Sequence, residues 1–552
     1  MFVRVVTSKG VRYAQLAHNI RDPKTGMPRA RVLYQFGRVD QLDLDALRRL
    51  IRSIARFLPP DEQVQIHKEI GIKWPFTYLG SRKLGGTWLL DGLWRRLQIQ
   101  KTLQRLLKER HYQTPVERLI FAQVANRALA PSSKLALEHW VAEEVYIDQL
   151  PQVEVHQLYR AMDFLLEASQ EIQREVFWTI ANLFNLDVDV IFFDTTTAYF
   201  EIEGEDPEGL RRWGRSADGH PHLAQVLIGF AVTRDGIPVR CWVWPGNTSD
   251  QHVVAQVKRD LNGWKLNRVL IVLDTGFNSQ ENRRILQGAG DHYIIGEKLR
   301  VGAKGIPAEA LRRGGKYRKL PDGLLIKEVI VGGDSVARRR FVIVHNPEEA
   351  ERDRKKRSSI LAELRKRLRE LKQLRGEAHT KAACALRSHE TFGRYLRQTR
   401  TGRLVIDRAK IRREARLDGK FLISSSDDFL PAEDLVYGYK QLAQVERVHR
   451  DLKHVVDVRP MYHRLEDRIR SHVLLCWLAL LMIRVAENET GLTWRQMKDL
   501  LSPIDVGRHA TSNGEVYEVR PLNDQQKALF RTLQVDTPPH YLKIVANPRK
   551  GT

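Results

Sequence analysis

The sequence predicts an α/β protein built on a mixed sheet, with a helical region ahead of the sheet and a long insertion within it. Three observations predict this. Two nearly continuous apolar runs, Val188-Asp189-Val190-Ile191-Phe192-Phe193-Asp194 and Val269-Leu270-Ile271-Val272-Leu273-Asp274, each end in an aspartate. Between them, apolar stretches at 223–232 and 237–243 flank the turn Arg234-Asp235-Gly236, a hairpin pattern. Helical periodicity dominates from about 80 to 183 and returns at about 437 to 454.

The elements follow in order. Residues 1 to about 45 read as short strands, with a turn at Asp22-Pro23-Lys24-Thr25-Gly26. Thr114-Pro115-Val116-Glu117 reads as a capping box with proline at the first helical position. The helix it opens carries Leu119, Val124 and Leu129 on one face. Ala130-Pro131-Ser132-Ser133 breaks that helix and caps the next, which runs through Leu135, Leu137 and Trp140. The pair fits either a DNA-binding helix-turn-helix or an ordinary helical hairpin in a core. A strand then ends at Asp194, the hairpin follows, and Asp250 can cap a helix carrying Val253, Val254 and Val257. A strand to Asp274, a helix at about 279–287 and a short strand at 293–295 complete the run. Strand, strand, strand, helix, strand, helix, strand is the order of the ribonuclease-H-like fold, which carries metal-binding carboxylates on its first and fourth strands.

The pattern is then interrupted. Residues 300–344 read as short strands with glycine turns, and Leu361, Leu364, Leu368 and Leu371 mark an amphipathic helix expected to pack within the insertion. Phe421-Leu422-Ile423 is a further strand. The 437–454 helix buries Leu442, Val445, His449 and Leu452. The apolar run from Val473 to Ile483, closed by His472 and Arg484, is too short to span a bilayer and reads as a buried helix. The expected domains are 1–80, a strand-containing region; 81–183, helical and DNA-binding; 184–298 with 421–490, the catalytic core; 299–420, the insertion; and 491–552, a basic C-terminal region with mixed signals.

Composition narrows the partner. The 552 residues are 42% hydrophobic, which fits a globular chain. Lysine and arginine outnumber aspartate and glutamate by 91 to 67, a net charge of +24, with local clusters such as Arg352-Asp353-Arg354-Lys355-Lys356-Arg357. Such an excess favours nucleic acid. Cys241, Cys384 and Cys476 are far apart, fit a reducing cytosol and argue against a disulfide framework. The N-terminus has no signal-peptide apolar core, and no membrane role is indicated.

Two strand-end aspartates on a basic chain suggest metal ions acting on a polyanion, and a third carboxylate is wanted. Glu446 is the candidate, seven residues after Tyr439 and seven before Lys453. On one continuous helix these three share a face at steps of about 10 Å, with Arg450 near the same stripe. A lone strand-end aspartate is usually a turn or cap residue, and a lone glutamate on a basic helix is usually a solvated ion-pair partner. The reading therefore rests on all three occurring in order on the right elements. Asp187, Asp189 and Asp206 read as solvated or turn residues; Asp250 is first a helix cap and second an alternative to Asp274. His220-Pro221-His222 lacks the companion acid or cysteine of a metal site.

Those residues resemble the DDE transposases of bacterial insertion sequences, in the branch with a Tyr-Arg-Glu-Lys signature and a β-rich insertion before the catalytic glutamate. Tyr439, Glu446 and Lys453 stand at the signature spacings, while Leu442 occupies the arginine position, where Lys440 or Arg450 would have to substitute. Asp194 with Thr195, Tyr199 and Phe200 resembles the first aspartate motif, and Asp274-Thr275-Gly276-Phe277 the second. Pro245-Gly246-Asn247-Thr248-Ser249-Asp250 and Tyr462-His463-Arg464-Leu465-Glu466-Asp467-Arg468-Ile469 resemble recurrent stretches of a subgroup with long insertions. The resemblance implies phosphoryl transfer with two Mg²⁺ or Mn²⁺ ions, Asp194 bridging both and Asp274 and Glu446 each completing one. It implies that Tyr439 and Lys453 position phosphates, with Arg450 a further DNA contact. It also implies double-stranded transposon ends and target DNA as partners, a homodimer on paired ends, and work in the bacterial cytoplasm at the nucleoid. A nuclease of the same fold and a DNA-binding descendant without catalysis are the rival readings.

Overall fold

A computed structural model describes residues 1–21, 27–59, 62, 66, 77–108, 110–150, 152–183, 190–201, 204–216, 219–264, 269–299, 306–332, 338–511 and 514–546. The expected turn at 22–26, and Asp187 and Asp189, lie outside them. The chain forms two compact units, one of Met1–Arg82, Ile504–Leu522 and Pro538–Thr552, the other of Lys83–Pro503 and Asn523–Thr537.

The first unit is mostly β-structure. Phe2–Ser8, Val11–Arg21 and Pro28–Arg38 form an antiparallel sheet. Helix Leu44–Ala55 follows, capped by Asp43, whose carboxylate accepts the Asp45 and Ala46 N–H groups. A second sheet joins Thr77–Lys83 to Asp505–Thr511, Gly514–Val519 and Tyr541–Ala546. These later strands supply the order that mixed polarity hid in the C-terminal sequence.

The second unit is centred on a nine-stranded mixed sheet. In chain order its strands are β1 (Val190–Tyr199), β2 (Gln225–Val232), β3 (Pro238–Pro245), β4 (Leu270–Leu273), β5 (His292–Glu297), β6 (Arg318–Lys319), β7 (Leu325–Val331), β8 (Arg339–His345) and β9 (Lys420–Ser425). Across the sheet they run β6-β7-β8-β9-β5-β4-β1-β2-β3. β1, β4 and β5 are parallel, and β2 and β3 are antiparallel to their neighbours. This is the ribonuclease-H-like order. β1 and β4 are apolar on both faces because helices cover both sides of the sheet. The strands of the interruption do not stand apart: β9 pairs with β5, and β8, β7 and β6 extend the same sheet.

One face carries α1 (Asp250–Asn262) and α2 (Gln280–Leu286). Val253, Val254, Val257 and Leu261 pack there against Ile191, Phe193, Trp242, Trp244 and Leu273. At about 1.5–3 kcal/mol for each fully buried aliphatic side chain, this layer holds β1 and β4 in register. The other face carries α3 (Ala432–Lys440), α4 (Leu442–His454) and α5 (Glu466–Thr490). α5 is buried without interruption from Ser471 to Ala486. Its Trp477 indole donates to the Pro238 carbonyl at 2.8 Å. Among the described residues α5 alone is long and apolar enough to cross a membrane, and here it is the spine of the unit.

One local expectation is corrected. Glu117 does not close a capping box: its carboxylate accepts the buried Trp94 indole at 2.7 Å and pairs with Arg118, a stronger demand than an exposed cap. Helix Val116–Leu129 is buried from Val116 through Ala128, packed against α5 and Val155–Glu167. Ser133 does cap the following helix, accepting the Ala136 N–H at 3.1 Å. Leu361, Leu364 and Leu371 close a core of their own with Leu386, Phe392 and Leu404.

Candidate active site

Strand register brings the two aspartates together. Phe193 pairs with Leu273 in the parallel β1–β4 ladder, so Asp194 and Asp274 follow at the same level on strands about 4.8 Å apart. β4 stops there, but β1 continues to Tyr199, paired along β2. Asp194 is thus mid-strand and not the strand end expected. The threonines after it are good strand formers, and β2 offers them a partner that β4 does not. Alternation then sorts the side chains. Ile191 and Phe193 enter the α1 layer, Asp194 turns to the α4 side, where His449 meets it, and Thr195 turns back toward Asp250 of α1.

The expected single helix from 437 to 454 is two helices meeting at Gln441. Gly438, a poor helix former, sits in the last turn of the first. Tyr439 and Glu446 therefore reach the site from different helices. A cleft of about 320 Å³ is lined by Asp194, Asp274, Phe421, Tyr439, Lys440, Leu442, Ala443 and Glu446. Asp194 forms its partly buried floor, and Asp274 and Glu446 its exposed rim. The Tyr439 hydroxyl donates to Asp274 Oδ1 at 3.2 Å, and its ring stacks on Phe421 with centroids 6.0 Å apart. Gly296 makes room for it: a Cβ there would lie 2.2 Å from the Tyr439 oxygen and 2.8 Å from Thr275 Cγ2.

Electrostatics single out the floor. Burial, then the repulsion of Asp274, Asp250 and Glu446, raises the Asp194 carboxyl to about 7, against the pull of the Thr195 N–H. Burial and the Asp274 carboxylate push the Tyr439 phenol up, so it stays a donor. Buried His449 brings Nδ1 to 3.7 Å from Asp194 Oδ2. Burial and Lys453 hold its imidazole down at about 3, and its Nε2 has no hydrogen-bond partner. Among the described residues the basic side chain within ion-pair reach of Asp194 is this neutral imidazole. The sequence marked His449 only as part of a buried face. The overlooked signal was a polar ring one helical turn beyond Glu446.

Among the described residues no three carboxylate, imidazole or thiolate groups already stand at ligand spacing. The donor chemistry nonetheless fits a divalent cation: oxygen donors converge on one cleft, and their mutual repulsion is the charge a cation would relieve.

The remaining sequence candidates divide. Leu442, at the position where the sequence comparison expects an arginine, lines the cleft, and Lys440 nearby lines it while pairing with Asp322 at 3.1 Å. Arg450 is exposed, its Nε 4.0 Å from Asp451, and does not line the cleft. Lys453 is partly buried near His449 and also lies off the lining. Asp250 is not the α1 cap; Ser249 accepts the Gln251 N–H instead. Asp206 is held in a turn by Arg211. His220 packs against Tyr199 with ring centroids 4.8 Å apart.

The sheet has the strand order of the ribonuclease-H-like fold, and three carboxylates converge on one cleft beside β1 and β4. The transposase DDE domain family matches residues 190–482, just over half of the chain, and the chain belongs to that family. The N-terminal domain of IS1634 family transposases matches residues 3–64. The protein is accordingly an insertion-sequence DDE transposase, an enzyme of metal-dependent DNA cleavage and strand transfer. Two solved structures show similarity. The piggyBac transposase synaptic complex with hairpin DNA is 10% identical, over 75% of this chain and 76% of that one, with a TM-score of 0.34. The Mos1 transposase paired-end complex with left transposon end is 15% identical, over 35% and 57%, with a TM-score of 0.15. No curated protein matches.

Proposed function

We propose that Asp194, Asp274 and Glu446 are the catalytic carboxylates, and that they would hold two Mg²⁺ or Mn²⁺ ions, for which an all-oxygen donor set is suited. The observation that carries this is the convergence of Asp194, Asp274 and Glu446 on one cleft, where burial and then the neighbouring carboxylates raise the Asp194 carboxyl and the imidazole beside it is neutral. When bound, the ions would activate the attacking water or 3′-hydroxyl and stabilise the leaving 3′-oxygen. Tyr439 orients Asp274 through its hydroxyl. His449 packs beside Asp194 without neutralising it, leaving its charge for the ions. Lys440 grips phosphate at the cleft edge, and Arg450 and Lys453 contact DNA further out along α4.

The duplexes handled would be the ends of the element and its target, by a homodimer on paired ends, in the bacterial cytoplasm. The test is an end-bearing duplex incubated with Mg²⁺ and supercoiled target. Cleaved ends joined to target through their 3′-hydroxyls are the expected product. Cleavage without joining would leave only a nuclease, and binding with neither would leave a DNA-binding protein. Light scattering on the end complex reads the dimer.

A further inference from the structure

We propose that Asp250 is a positioning residue for the reaction: through Thr195 it fixes the orientation of the Asp194 carboxylate. The inference rests on the reading of Asp194 as catalytic. Asp250 is the first residue of α1, yet Ser249 performs the capping, so the Asp250 side chain is left for another partner. That partner is Thr195, whose hydroxyl donates to Asp250 Oδ1 at 2.6 Å, short as expected for a bond to a carboxylate. The Thr195 N–H donates in turn to Asp194 Oδ1 at 2.8 Å.

The strand pleat makes this useful. Asp194 and Thr195 point to opposite faces of β1, so the site face offers no bond that could hold the Thr195 side chain. Asp250 holds it from behind the sheet and thereby holds the backbone N–H that orients Asp194. Asp250 also abuts the second motif: a Cβ on Gly276 would lie 3.5 Å from its Oδ2. One carboxylate on α1 therefore bonds the residue after Asp194 and lies near Gly276, two residues after Asp274.

The experiment uses the full chain with Thr195→Val, Thr195→Ser, Asp250→Ala, Asp250→Asn and the Thr195→Val/Asp250→Ala double variant. Two quantities are read: Mn²⁺ affinity of the protein alone by calorimetry, and cleavage rate of an end duplex. Thr195→Val and Asp250→Ala should each slow cleavage about tenfold and weaken Mn²⁺ binding, since small misplacements of reacting groups carry large costs. The double variant should be no worse than either single, because both delete one bond. Thr195→Ser and Asp250→Asn, which each keep a partner for that bond, should recover to within about threefold of the parent. Multiplied losses in the double variant, or no recovery with Thr195→Ser, would overturn the proposal. Asp194→Asn separates the two readings. If it cleaves normally, the site assignment falls. If it is inactive while Thr195 and Asp250 act independently, only the positioning role falls.

Discussion

Replacing Asp194 by asparagine should abolish cleavage and yet stabilise the metal-free fold. The carboxyl is raised from 3.8 to about 7, first by burial and then by Asp274, Asp250 and Glu446. At about 1.4 kcal/mol per tenfold step, ionising it in the fold costs at most about 4 kcal/mol. Water reaching the quarter of the side chain that is exposed lowers the expectation to about 2 kcal/mol. The sign follows from the direction of the shift. Below pH 3.8 the group is protonated in both folded and unfolded chains and contributes nothing; the penalty grows as pH rises and is complete above about 7. Asparagine keeps the oxygen that accepts the Thr195 N–H and carries no charge. Urea unfolding in EDTA, followed by tryptophan fluorescence, should place the variant above the parent at pH 7.5 and level with it near pH 4. Mg²⁺ should raise the parent and leave the variant unmoved. A variant less stable than the parent at pH 7.5 in EDTA would show that the Asp194 charge does not destabilise the metal-free fold.

Further outcomes are expected. Gly296→Ala should push Tyr439 off Asp274 and slow cleavage at least about tenfold with end binding intact; the same change in a Tyr439→Phe background should cost less, and equal costs in both backgrounds would contradict the steric account. Leu442→Arg should tighten end binding at low salt and steepen its salt dependence by about one phosphate contact in a binding titration; an unchanged slope would place Leu442 away from DNA. Leu364→Ala should cost about 2–5 kcal/mol in the small helical core, seen as faster hydrogen exchange in 347–415, while exchange in β1 and β4 stays slow.

What the sequence revealed follows the range of each interaction. β1, the hairpin, α1 and β4 were legible because their apolar patterns are local, and their order carried the fold class. The pairing of β9 with β5 was not, since it joins segments more than a hundred residues apart and leaves no mark on either. The break at Gln441 was missed because two short helices preserve the periodicity of one. Asp250 read as a cap because its helix position allows it; only the fold shows Ser249 performing that task and Thr195 facing Asp250. Asp194 and Asp274 stood out because each closes an apolar run, although β1 in fact continues past Asp194, whereas Glu446 depended on spacing to Tyr439 and Lys453.

The catalytic assignment is tested by comparing Asp194→Asn, Asp274→Asn and Glu446→Gln with the parent in Mg²⁺-dependent nicking of an end-bearing duplex, with end binding measured on the same preparations. Loss of nicking in all three with binding retained is the predicted result. Nicking at the parental rate by any one of them would remove that residue from the catalytic site.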